Sequence, residues 1–402
     1  MPSGLKAWNL AGSRRKMARY LKHCVESAFA PFVAAAGGPN YAAQLTTADL
    51  PEERKAAQFS KFRSLKPFGG DPLYLPGNGF IARFAHSAGA FLCVSDHHLD
   101  DEGKEELNEW AAGEGLLEGA LDEASFLVLC DELGGFYKPL GLNMKKERAE
   151  NLLGVVNDAY EGHDINDIIE WYQSVSIFDI PEDHYALTAN AYRIAAGLVS
   201  SNRAYRPEII GDEMATAIHA LNLLPNINPE NLYFALTSTH WKHTFLDLYK
   251  CLEAIFYLPW TSVLRDSLKS ELTALALAKE CRRSLIWRER EKVSIARLFE
   301  TLPDLICKPP TLAAIAPLQD LVGNNANKDK YGERIYKIRN ELVHQEDYED
   351  PTPIEIPKNF WLPICLYLSG ILKELYTSRA PDIDYVFELE VGELPTKAVK
   401  PA

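Results

Sequence analysis

Eleven residues near the end of the chain carry groups that can hold a phosphate and move a proton: Tyr336-Lys337-Ile338-Arg339-Asn340-Glu341-Leu342-Val343-His344-Gln345-Glu346. Arginine presents a planar, permanently charged fork to a phosphate. Histidine, five positions on, exchanges a proton near neutral pH. Together they suit cleavage of RNA without a metal.

A helix must position these groups. Tyr331, Ile335, Ile338 and Leu342 recur at helical period and predict one apolar stripe. Arg339 falls on the flank of that stripe. Asn340 and His344, an i, i+4 pair, fall on the opposite side with Tyr336 and Val343 nearby. A second face mixing apolar and reactive groups predicts a cleft or a partner surface. His344 stands at the predicted helix end, ahead of Asp347, Glu349, Asp350, Pro351 and Pro353. The helix dipole and those acids favour its protonated form.

The segment Ile-Arg-Asn-x-x-Val-His, late in a helical stretch, resembles the signature of the HEPN superfamily, an Arg and a His separated by four to six residues. The resemblance covers residues 241–378. His243–Leu258 reads as its opening helix, with Phe245, Leu248, Leu252 and Ile255 on one face. Thr261–Trp287 reads as one long helix ending in Arg282, Arg283, Arg288 and Arg290. Val293–Leu302 is short and amphipathic. A break at Pro309 and Pro310 and a polar loop at 323–328 lead to the motif helix. Asn359 is expected to cap a buried helix over Phe360–Tyr376. Glu253 matches the acidic position of the opening helix. The arrangement looks most like the ApeA-type HEPN domains of bacterial anti-phage defence proteins. It departs from the HEPN toxins that carry a Tyr two residues after the His, where this chain has Glu346.

The resemblance implies a metal-independent endoribonuclease that leaves 2′,3′-cyclic phosphate ends, working as a toxin in defence or abortive infection. In it His344 is the general acid or base, Arg339 holds the phosphate and Asn340 orients either of them. It implies a homodimer or higher homo-oligomer whose two motifs face one another, RNA (tRNA among the options) as substrate, no cofactor, and a regulatory protein or phage-derived trigger. Arg282, Arg283, Arg288, Arg290 and Lys337 are candidate RNA contacts. A solvated helix end is the plainer role for the arginine cluster.

Composition frames this reading. The 402 residues carry a formal charge of −14, poor for a general nucleic-acid binder. Residues 241–380 hold 20 Lys and Arg against 19 Asp and Glu, leaving 22 against 37 elsewhere. The acidity thus lies outside the candidate effector. Three parts are expected: a regulatory or sensing region over 1–235, a HEPN-like bundle over 236–380, and a loose acidic tail over 381–402. Seven dispersed cysteines suggest neither a zinc site nor a disulfide framework, and free thiols suit a reducing compartment. The basic N-terminus lacks an apolar run to follow it, and the longest apolar run, Phe360–Leu372, is too short to span a bilayer. A cytoplasmic protein without membrane contact is expected.

The fold class predicted is mainly α, with an α+β or mostly helical N-terminal region. There, the residues up to 36 read as helical. Phe80–Ser95 and Ala124–Cys130 read as strands around an acidic helix at 101–118. Helices are predicted over Asn151–Tyr160, Ile165–Val175, His184–Val199 and Ala215–Leu224.

Two other functions fit the residues. The bundle could bind a nucleotide or partner without catalysis. Alternatively, Asp96-His97-His98, after a strand, is reminiscent of the DHH phosphoesterases, which bind two metals, although no Asp-x-Asp segment accompanies it. A polar turn with exposed histidines is the plain structural reading of that triplet.

Overall fold

The computed structural model of the protein describes residues 21–36, 45–46, 52–68, 71–87, 89–140, 163–164, 168–181, 191–285, 290–343 and 356–383. The chain is mainly helical, with an antiparallel sheet in its N-terminal part. Its strands are β2 (Lys66–Pro67), β3 (Leu73–Leu75), β4 (Gly79–His86), β5 (Gly89–Ser95), β6 (Leu117–Gly119) and β8 (Val175–Ile180). They run in the order β2-β4-β5-β8-β6, with β3 also on β4. Separately, β1 (Leu45–Thr46) pairs in parallel with β7 (His163–Asp164).

The apolar run at 80–95 is a β-hairpin, with Ile81 opposite Val94 and His86 opposite Gly89. Its sequence is apolar at nearly every position because both faces are covered. Phe80, Ala82, Phe84, Phe91 and Cys93 point into one core. That core is completed by α1 (Leu21–Ala36), α2 (Glu52–Ser64) and α4 (Glu123–Glu132). Ile81, Ala85, Leu92 and Val94 point into the other core.

That second core is continuous from the sheet through the C-terminal helices, from Leu75 to Ile383. It takes in α3 (Asp101–Gly113), α5 (Ala191–Ser201), α6 (Asp212–Asn222) and α7 (Pro229–Thr237). Beyond residue 235 follow α8 (Trp241–Glu253), α9 (Leu258–Leu268), α10 (Ala274–Leu285), α11 (Glu291–Glu300), α12 (Asp304–Cys307), α13 (Ala316–Gly323), α14 (Lys328–Val343) and α15 (Trp361–Ser378). Helix α8 packs on α7 and α15, α15 also on α6, and α14 on α11. The Tyr376 hydroxyl donates to the Cys251 carbonyl at 2.8 Å, tying α15 to α8.

Several expectations are corrected. Ala124–Cys130 is helical, not a strand. All seven residues are buried, Ser125 among them, so no exposed polar position marks the period. Asp122 caps this helix by accepting from the Ser125 N–H at 2.8 Å. Of the helix expected over Ile165–Val175, the described residues show a helical turn at 168–169, and strand β8 begins at Val175. The acidic helix stops at Gly113, and Gly115, at φ 73°, turns the chain toward β6. The long helix over 261–287 is two helices. Lys269 adopts a left-handed conformation (φ 49°), and the Ser270 N–H closes on the Arg265 carbonyl at 3.0 Å. Arg265 is also held by Asp382 at 2.7 Å. Asn359 does not cap the last helix. It lies inside a 3₁₀ turn over Lys358–Phe360, and Phe360 occupies the cap position with no side-chain hydrogen bond. The helix expected at 151–160 and the tail from 384 lie outside the described residues. No described helix is long and apolar enough to cross a membrane.

Candidate functional site

The motif helix α14 forms as its periodicity predicts. Tyr331, Ile335 and Ile338 are buried, and Leu342 is half-buried against the core. Gly332 is part of this seam. A Cβ there would stand 2.9 Å from the Ile295 carbonyl oxygen, so only glycine lets α14 lie this close to α11. Seven residues on from Gly332, on the same face, is Arg339. Four residues back from Ile295, on the facing side of α11, is Glu291. The antiparallel seam therefore brings Arg339 to Glu291.

Arg339 is half-buried and surrounded. Its Nη2 donates to Glu253 Oε1 at 3.1 Å, joining α14 to the end of α8 across 86 positions of sequence. Its Nη1 donates to Asn340 Oδ1 at 3.1 Å and lies 3.9 Å from Glu291 Oε2. Its guanidinium stands 5.8 Å from the centre of the Tyr249 ring. Burial, despite the Arg339 charge and with Glu291 adding repulsion, pushes the Glu253 carboxyl above its ordinary range. Tyr249 precedes Glu253 by four residues, so the two share one face of α8. Burial also pushes the Tyr249 phenol well up.

One cation therefore stands between two carboxylates, with a neutral phenol beneath. Pairs of this exposure contribute about 1 kcal/mol or less each. A phosphodiester anion can compete for the guanidinium on those terms, because bidentate arginine–phosphate bonds are among the stronger polar contacts.

Arg339, Asn340 and Glu253, singled out from sequence, are thus brought together. His344 lies just beyond Val343, outside the described residues, as does Arg288. Glu291 and Tyr249 belong to the cluster but went unnoticed in the sequence. Tyr249 had a signal, its i, i+4 spacing from Glu253. Glu291 had none, since only packing of α11 on α14 brings it near. Lys337 reaches toward Glu341 at 3.8 Å on its own helix. Arg283 is exposed and pairs with Glu280 of its own helix at 2.8 Å. Arg282 is exposed at the end of α10. Arg290 is exposed one residue before Glu291, so of the described cluster it adjoins the site in sequence. On the mixed face, Tyr336 packs against the protein's own core and Val343 is open at 48 % exposure.

The second candidate, Asp96-His97-His98, is a turn, but its histidines are half-buried rather than exposed. Asp96 is buried and accepts from Ser176 Oγ at 2.7 Å. His97 Nδ1 lies 2.9 Å from Ser95 Oγ. His98 packs edge-on against Tyr205, ring centres 4.9 Å apart. Burial lowers the pKa of both imidazoles, against the pull of Asp96. Among the described residues no three His, Cys, Asp or Glu side chains are grouped to share a metal ion. Comparison of the chain with protein-family models, with curated proteins and with solved structures returns no match.

Proposed function

We infer that the protein is a metal-independent endoribonuclease of HEPN type. The observation that carries this reading is the meeting of Arg339 with Glu253 at 3.1 Å, the first singled out by its motif and the second by the family resemblance, 86 positions apart in sequence. Arg339 binds the scissile phosphate after leaving its carboxylates. His344 takes the 2′-hydroxyl proton or returns one to the departing 5′-oxygen. The 2′-oxygen bonds to phosphorus, the 5′-oxygen leaves, and the products carry a 2′,3′-cyclic phosphate and a 5′-hydroxyl. Asn340 holds Arg339 in place. A homodimer pairs two such sites, and open Val343 beside the motif suits a partner surface. Such an enzyme in the cytoplasm is toxic, which fits an effector of anti-phage defence released by a protein or phage-derived trigger. The acidic N-terminal region is then its regulator.

The test is incubation of the purified protein with tRNA and total RNA in EDTA, beside Arg339→Ala and His344→Ala. Cleavage by wild type alone, leaving cyclic-phosphate ends, is the expected result. Activity that EDTA abolishes, or that survives both substitutions, overturns the reading. If RNA binds through Arg339 but stays intact in cells and in vitro, with and without phage challenge, the bundle is a binding module.

A further inference from the structure

The Tyr249 side chain is 1 % exposed, and its hydroxyl has no hydrogen-bond partner among the described residues. A buried donor left unsatisfied is unfavourable and calls for an account of what it does. Its neighbour one turn along α8 is Glu253, an acceptor occupied by Arg339. Its ring lies beneath the same guanidinium. Resting on the reading of Arg339 as a phosphate ligand, we propose that Tyr249 is a positioning residue. When Arg339 turns to a phosphate, the Tyr249 hydroxyl donates to the Glu253 carboxylate left behind.

Charge bookkeeping around Arg339 makes such a donor necessary. While Arg339 stays, it offsets both Glu253 and Glu291. Once it engages a phosphate, two carboxylates and the incoming anion share one half-buried site. Glu253 is the more buried of the two acids, with its side chain 31 % exposed against 45 % for Glu291. Glu291 can turn to water from the first turn of α11. Glu253 cannot do so as readily, and Tyr249 is its i, i+4 neighbour on the same face of α8. The exchange trades one hydrogen bond for two: the Arg339–Glu253 bond is lost, and a Tyr249–Glu253 bond and an Arg339–phosphate bond form. The hydroxyl is unsatisfied in the resting molecule because its partner is still held by Arg339.

The experiment uses the full chain and a fluorescein-labelled, single-stranded RNA with 2′-O-methyl riboses, which binds but has no 2′-hydroxyl to attack. Dissociation constants are read by anisotropy for wild type, Tyr249→Phe, Glu253→Ala, the double variant and Arg339→Ala. Tyr249→Phe is expected to weaken binding about tenfold, the weight of one hydrogen bond to a charged group. In the Glu253→Ala background the same substitution should cost less than about twofold, because no carboxylate remains to be satisfied. Since Phe removes an unpartnered hydroxyl, Tyr249→Phe should also melt no lower than wild type. Equal loss in both backgrounds, no loss in either, or a lowered melting temperature overturns the proposal. If Arg339→Ala loses binding while Tyr249→Phe does not, the role of Tyr249 alone falls. If Arg339→Ala binds as wild type does, the phosphate reading falls and this inference with it.

Discussion

Replacing Gly332 by alanine tests how the site is built. In the interior of a helix, alanine is favoured over glycine by about 1 kcal/mol. Here the new methyl would sit 2.9 Å from the Ile295 carbonyl oxygen and 3.1 Å from both its carbonyl carbon and Phe299 Cδ2. Ordinary contact needs about half an ångström more. Two of the three atoms are backbone, so relief requires α14 and α11 to part. Overpacking of this kind costs about 1–3 kcal/mol. The clash outweighs the propensity gain, and a net loss of up to about 2 kcal/mol is expected. Gly370, in α15, is the control, because a Cβ there meets nothing within 4 Å. Gly370→Ala should stabilise by about 0.5–1 kcal/mol through propensity and the unfolded chain's entropy. The two variants carry the same chemical change and should move urea midpoints, read by far-ultraviolet circular dichroism, in opposite directions. A Gly332→Ala midpoint at or above that of wild type refutes the reasoning. Parting the helices also displaces Arg339 from Glu291, two turns along the seam. RNA affinity should therefore change in Gly332→Ala and stay put in Gly370→Ala.

Two further outcomes are expected. Burial opposes ionisation of Asp122, but the Lys61 ammonium at 2.6 Å and the Ser125 bonds hold its carboxyl below the usual range. A depressed carboxylate lends stability above its unfolded pKa, near ~3.9, and loses it as pH falls through the folded value. Asp122→Ala should thus cost about 1–2 kcal/mol at neutral pH and much less in acid, as urea midpoints at the two conditions will show. For Glu253 the sign is reversed. Its raised pKa means that the stability it lends is present below the unfolded value and lost as pH rises through the folded one. Glu253→Gln should therefore leave neutral-pH stability unchanged or raise it by about 1 kcal/mol or less, while tightening RNA binding by freeing Arg339. A melting temperature several degrees below wild type at neutral pH would contradict this.

What the sequence disclosed follows from how local each signal is. The motif helix was legible because Tyr331, Ile335 and Ile338 face a core while charged residues face water, so the period of 3.6 is written in the chain. Helix 123–132 hid its period, since burial of every residue from Ala124 to Cys130 left no exposed polar position to mark it. The break at Lys269 was invisible because no glycine or proline marks it. A salt bridge from Arg265 to Asp382 and a left-handed lysine make it instead. The β8 strand was concealed by its covered faces and by alternation too short to read. In the site, Arg339 and Asn340 were legible as residue types in a motif and Glu253 through the family resemblance, while Tyr249 went unread although its spacing from Glu253 stood in the chain. Glu291 was not, because its membership depends on a helix seam that glycine permits and no local pattern announces.

The core that runs unbroken from Leu75 in β3 to Ile383 bears on how such a chain can be rearranged. Helix α8 delivers Glu253 at one end and lies on α7 and α15 along its length. The acid that holds Arg339 is therefore seated partly by residues that precede position 235. A bundle of this construction is not a cartridge to be lifted out and joined to a different sensor. Excision at 235 would strip α8 of most of the α7 side chains it packs on, a helix whose buried residues there include Leu232 and Tyr233. Change in the N-terminal half and change in the Arg339 site are then bound to one another, and recombination between relatives would be tolerated at the loops around the sheet sooner than at the junction where the two halves meet.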